Sequence, residues 1–164
     1  FIQKGMSRII RYAHTNIVAR DWQSLARFYE EVFGCQPVGV ERDYSGETVD
    51  RLTAMSGIRV RGQHLRLPGC GENGPTLEIF QYEPESSRPN LKVEGPGFAH
   101  MAFVVEDLAS KRAEVLEHGG RDVGEIVTIP IEGEGMLTLV YIEDPEGNVL
   151  ELQEWERDAD GGTG

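Results

Sequence analysis

The segment Ala13-His14-Thr15-Asn16-Ile17-Val18-Ala19-Arg20-Asp21 returns 86 residues later as Ala99-His100-Met101-Ala102-Phe103-Val104-Val105-Glu106-Asp107. Whatever the chain folds into must accommodate that duplication. At the same offset Ser24 meets Ser110 and Gly34 meets Gly120. Each copy reads as a short apolar strand carrying one histidine, an acidic helix cap, and a helix that stops at glycine. On a pleated strand His14, Asn16 and Val18 share one face, while Ala13, Thr15 and Ile17 share the other.

Taken in order, residues 9–18 are expected to form a strand, with Asp21 capping a helix over Trp22–Phe33. In that helix Trp22, Leu25, Phe28, Tyr29 and Val32 recur at three- and four-residue spacing. Further strands are expected at 37–47, 61–67 and 76–82. A short helix over 48–55 would lie at a cavity mouth, and the glycine-rich stretch 68–75 makes a hairpin turn. The second unit repeats the plan with a strand at 98–105, the Asp107 cap, a helix over 108–118, and strands at 125–129, 136–142 and 149–155.

Each unit therefore reads β-α-β-β-β. Residues 7–83 form the first module, 84–96 a linker, 97–156 the second module, and 157–164 a disordered tail. The repeat reaches the last strand of each, where Leu77-Glu78-Ile79 corresponds to Leu150-Glu151-Leu152. His14 precedes Glu78 by 64 residues and His100 precedes Glu151 by 51, so the first module carries 13 extra residues in its loops.

A net charge of −12, from 16 basic and 28 acidic residues, disfavours nucleic acid and anionic membrane surfaces as partners. Cys35 and Cys70 form no CxxC pair, and no apolar run is long enough to span a bilayer. These features suit a cytoplasmic protein with a small-molecule substrate.

A glutamate or histidine amid apolar strand residues needs a partner, because burying an unpaired carboxylate costs several kcal/mol. Two such pairs at equivalent places in two repeats call for one explanation. If the repeats pack about a pseudo-twofold axis, His14, Glu78, His100 and Glu151 converge on a cleft. Two imidazoles and two carboxylates there suit one divalent ion such as Ni, Co, Zn, Mn or Fe. The remaining polar candidates read as structural. His118 lies in the last turn of a helix, His64 lies among arginines, and Cys35 and Cys70 lack an adjacent base. Arg59, Arg61 and Arg66 are expected near a sheet edge as solvated strand residues.

Three local motifs resemble the vicinal oxygen chelate superfamily, which includes glyoxalase I, methylmalonyl-CoA epimerase, extradiol dioxygenases and bleomycin-binding proteins. They are His14 to Asp21 with Phe28-Tyr29 and Phe33-Gly34, then His100 to Asp107, then Asp144-Pro145-Glu146-Gly147-Asn148-Val149-Leu150-Glu151-Leu152. The resemblance implies an α+β fold in which two βαβββ repeats form a curled mixed sheet around a metal cleft, with His14, Glu78, His100 and Glu151 as ligands. It also implies a metal-dependent lyase or isomerase that abstracts a proton next to a carbonyl through an enediolate, with Glu151 as the favoured base and Glu78 its counterpart. A homodimer is expected, and the modules could pair within a chain or across it. The rivals are an Fe(II) dioxygenase using His14, His100 and Glu151, and a non-catalytic binding protein. A carboxylate at 78 argues against the first, and retention of all four residues against the second.

Overall fold

Asp21 and Asp107 start their helices in the same way. In the computed structural model, which describes residues 10–87 and 94–156, both have extended backbone, and their carboxylates accept from the backbone N–H of Ser24 and Ser110. One of the amides left without an intrahelical partner is thereby satisfied. A second is satisfied from the sheet: Trp22 N donates to Gln81 Oε1 and Leu108 N to Glu154 Oε2. Gln81 and Glu154 stand at equivalent places, three residues beyond Glu78 and Glu151. The strand that carries each glutamate thus also holds the start of each helix.

The first module contains β1 (His14–Val18), α1 (Trp22–Phe33), β2 (Gln36–Ser45), α2 (Glu47–Thr53), β3 (Arg59–Arg66) and β4 (Thr76–Glu83). The second contains β5 (His100–Val104), α3 (Leu108–Glu117), β6 (Arg121–Asp122), β7 (Val127–Ile131), β8 (Gly135–Glu143) and β9 (Val149–Glu156). The sheets have matching orders, β1-β4-β3-β2 and β5-β9-β8-β6, with β7 also paired to β8. Each is mixed, because β1–β4 and β5–β9 run parallel and the other pairs antiparallel. In the first module the outermost strand is one bulged strand, β2. In the second it is split into β6 and β7. The extra length of the first module sits mostly in α2 and its flanking turns, between β2 and β3, with the rest in the longer β3–β4 turn.

Helix α1 ends at Gly34, whose φ of 70° is a conformation that a side chain disfavours. Helix α3 ends at His118, whose Nδ1 lies 2.8 Å from Glu114 O and whose Nε2 lies 3.5 Å from Glu31.

One hydrophobic core spans both modules. Leu25, Tyr29 and Val32 of α1 and Leu108 and Val115 of α3 meet Leu65, Leu77 and Ile79 of one sheet and Val140, Ile142, Leu150 and Leu152 of the other. Burying each such side chain contributes roughly 1.5–3 kcal/mol. Phe33 stacks on Phe103 across the boundary with centroids 4.1 Å apart, and Lys111 Nζ donates to Val32 O. The helices and one face of each sheet are used up in this core. The alternation along β1 and β5 therefore leaves His14, Asn16 and Val18, and His100, Ala102 and Val104, on the open faces.

Two expectations need correction. Strands β1 and β5 begin at their histidines, since residues 10–13 and 98–99 lie outside the ladders and are largely exposed. The arginines of β3 are not on an edge, because β3 lies between β2 and β4. They are also paired: Arg59 forks onto Asp43, and Arg61 bonds Glu83. The expected tail, 157–164, and part of the linker, 88–93, lie outside the described residues.

Candidate metal centre

Sheet register decides which polar side chains meet. Glu78 on β4 lies between Asn16 on β1 and His64 on β3, and cross-strand neighbours share a face. The Glu78 carboxylate consequently faces three donors. Asn16 Nδ2 donates to Oε1 at 2.9 Å, His14 Nε2 lies 3.5 Å from Oε1, and His64 Nε2 lies 2.6 Å from Oε2. His64 Nδ1 is engaged by Thr76 Oγ1 at 2.8 Å, so its Nε2 is the nitrogen presented to the carboxylate. The His14 and His64 rings meet edge-on with centroids 5.2 Å apart. Burial holds the His64 pKa below its ordinary value, against the opposing pull of the Glu78 charge.

The second module repeats the row with different occupants. Glu151 on β9 lies between Ala102 on β5 and Tyr141 on β8. His100 Nε2 stands 2.9 Å from Glu151 Oε2, and Gln153 Nε2 donates to Oε1 at 2.6 Å. Trp155 in turn donates to Gln153. Tyr141 takes the place of His64 and tilts against the His100 ring with centroids 5.0 Å apart. Both glutamates are buried, which their ring and amide partners make tolerable.

His14 and His100 line one cleft of about 1060 Å³ between the modules. Its walls include Tyr12, Met55, Ile58, Tyr82, Phe98 and Met101, and at its rim Arg20 pairs with Glu85. Met55 and Ile58 follow α2, near the cavity mouth expected for that segment. Of the four residues singled out from the sequence, the structure forms two pairs, His14–Glu78 and His100–Glu151. Among the described residues, the donor atoms that fall within 4.8 Å of one another are those of His14, His64 and Glu78.

A divalent ion fits this donor set. Ligand atoms around a tetrahedral ion lie roughly 3.4 Å apart, so His14 and Glu78 already stand at ligand spacing. His64 need retreat by only about 0.8 Å from its 2.6 Å bond. Burial, which disfavours the charged ring, and the Nδ1 anchor both suit a ligating imidazole.

The sequence around His64 does not single it out, because its meeting with Glu78 depends on the pairing of β3 with β4. The turn at 68–75 closes a hairpin symmetric about Gly71, seven residues from both His64 and Glu78. That symmetry was the available signal.

Two duplicated modules with matching strand orders, each setting a histidine on its first strand against a glutamate on its last, narrow the choice of family. Residues 11–152 match the family described as "Glyoxalase/Bleomycin resistance protein/Dioxygenase superfamily". The chain belongs to this superfamily. Within the glyoxalase superfamily it is similar to the Bacillus subtilis protein YwbC, at 29% identity over 143 residues covering 87% of this chain and 95% of that one. It is 26% identical to a lactoylglutathione lyase of Escherichia coli O157:H7 over 127 residues, 71% of this chain and 88% of that one. A glyoxalase family protein from Bacillus cereus shares the fold with a TM-score of 0.76 at 22% identity, covering 92% and 97% of the two chains. Superfamily membership accounts for the α+β architecture and the paired modules. Among the described residues no helix is long and apolar enough to cross a membrane.

Proposed function

We propose that the chain is a metal-dependent lyase or isomerase of the glyoxalase I or epimerase type, acting on a carbon-bound proton next to a carbonyl. The observation that carries this is the pair of buried glutamates, each facing a histidine that lines the same cleft. The residues that would hold the ion are His14, Glu78, His100 and Glu151. A divalent ion so held supplies a Lewis acid that polarises a carbonyl oxygen and stabilises the charge left when the adjacent carbon loses its proton.

The chain's own residues then divide the work. Glu151 has two side-chain partners, His100 and Gln153. It would take the proton from carbon and return it to the neighbouring carbon or the opposite face, with His100 Nε2 steadying the carboxylate and Gln153 orienting it. Glu78 is held more firmly, by Asn16, His14 and His64, and stays as an anchor. Tyr12, Met55 and Phe98 on the cleft walls are exposed in the single chain, so shielding the reacting carbon from water would require a second copy or the substrate to cover them. A homodimer provides one route by which the open faces of the two modules cover each other. Two free cysteines are consistent with a cytoplasmic setting.

The deciding experiment is metal content by elemental analysis of protein purified without chelator, followed by turnover of 2-oxoaldehyde hemithioacetals and acyl-CoA epimers. Glu151→Gln serves as the control. About one ion per chain, with turnover lost in the variant, is expected. Oxygen uptake with catechols would instead point to the dioxygenase branch. Failure to take up any metal would leave a binding protein.

A further inference from the structure

The two halves of the site are not equivalent, and the difference lies in who sits beside the glutamate. In the first module the cross-sheet row reads Asn16, Glu78, His64; in the second it reads Ala102, Glu151, Tyr141. The first row adds an imidazole and an amide to the His–Glu pair. The second adds a methyl group and a phenol, neither of which is a good ligand for a borderline divalent ion. Resting on the metal-dependent reading above, we infer that the ion is anchored in the first module by His14, His64 and Glu78, and that the His100–Glu151 pair is the weaker half of the site, facing substrate.

Three features support this division. The donor atoms of His14, His64 and Glu78 lie within 4.8 Å of one another without any contribution from the second module. His64 is fixed for the task, because the Thr76 hydroxyl at Nδ1 sets both ring orientation and the nitrogen that faces Glu78. The Glu78 side chain is only 11% exposed, yet two imidazole nitrogens are turned onto its oxygens. One protonated histidine would neutralise that carboxylate; a second imidazole is surplus to an ion pair and is what a cation site needs. A two-histidine, one-carboxylate set leaves positions open for two substrate oxygens. Glu151, in the more weakly held half, is then the carboxylate that can loosen from the ion to act as the base.

The test uses the full chain, stripped by chelator and titrated with Zn²⁺ against a chromophoric competitor, and then with Co²⁺ to read ligand-field absorption. His64→Gln is expected to weaken Zn²⁺ binding by at least about tenfold and to shift the Co²⁺ spectrum, and His100→Gln is expected to weaken binding less. Thr76→Val keeps His64 but frees its Nδ1, and should cost roughly tenfold; it keeps the inference testable even if His64→Gln fails to fold, as judged by circular dichroism. Unchanged binding in His64→Gln and Thr76→Val, with binding lost in His100→Gln, would overturn the asymmetry and leave a symmetric four-ligand site. Wild-type protein that binds neither ion would overturn the metal-dependent reading itself, and the inference with it.

Discussion

Tyr29 on α1 donates its phenolic hydrogen to Asp144 Oδ2, at 2.8 Å, across the boundary between the modules, and neither residue exposes any surface. Asp144 opens the β8–β9 turn, where its carboxylate also accepts from the amides of Glu146 and Asn148 and from Asn148 Nδ2. That turn sets the register of Glu151. Burial raises the Asp144 pKa, and these hydrogen bonds partly offset the rise. Tyr29→Phe should therefore destabilise the fold by about 1–3 kcal/mol, a loss of roughly 2–4 °C in Tm per kcal/mol for a chain of this size. Because the folded pKa is raised, the contribution of Asp144 protonation is present below its unfolded value and is lost as pH rises through the folded one. The Tyr29→Phe penalty should thus be larger at pH 7 than at pH 4. Thermal melts at both values check this.

Asp21 and Asp107 show the opposite sign. Their bonds to Ser24 and Ser110 hold both carboxyls below the usual range. A depressed folded pKa gives stability that is present above the unfolded value and lost as pH falls through the folded one. Replacing either by Ala should lower the denaturation midpoint at pH 7. The penalty should shrink below pH 4, and chemical denaturation at pH 7 and pH 3 would show it.

Much of this was legible in the sequence, for physical reasons specific to the residues. Periodicity and caps located α1 because Asp21, Ser24 and Gly34 act locally. The duplication located β4 and β9 because Glu78 and Glu151 sit in the same apolar frame. The role of His64 was not legible from its neighbours, since it depends on the pairing of β3 with β4. Nor was the pairing of Arg59 and Arg61, whose partners Asp43 and Glu83 lie on the flanking strands. Local chemistry showed through, and cross-strand chemistry required the register. Tyr141 illustrates the limit best. No repeat of identity links it to His64, yet the two occupy the same place opposite a glutamate.

The two thiols should differ sharply in reactivity. Cys35 follows α1, is buried, and has its pKa pushed up to about 11 by burial and the nearby Glu30 charge. Cys70 is exposed in the β3–β4 turn. Since the thiolate is the reactive form, a disulfide reagent at pH 8 should modify one thiol per chain promptly. The second should appear only with unfolding. Two equally fast thiols would contradict the packing around Cys35.

Phe103 couples the modules through its stack on Phe33. Phe33 closes α1, and Phe103 lies on β5 three residues beyond His100. On a strand these two alternate, so His100 faces the open side while Phe103 faces the core. Phe103→Ala should cost less than the roughly 3–5 kcal/mol of a fully buried phenylalanine, because Phe103 is only half-buried against the core. It should also loosen the seat of His100, because the same short strand carries both side chains. Phe103→Leu fills more of the space and should recover most of the stability. If metal affinity, measured by competition, falls in Phe103→Ala and returns in Phe103→Leu, the core contact sets the spacing of the two walls. Affinity that ignores both variants while Tm falls would show that the first module binds the ion by itself.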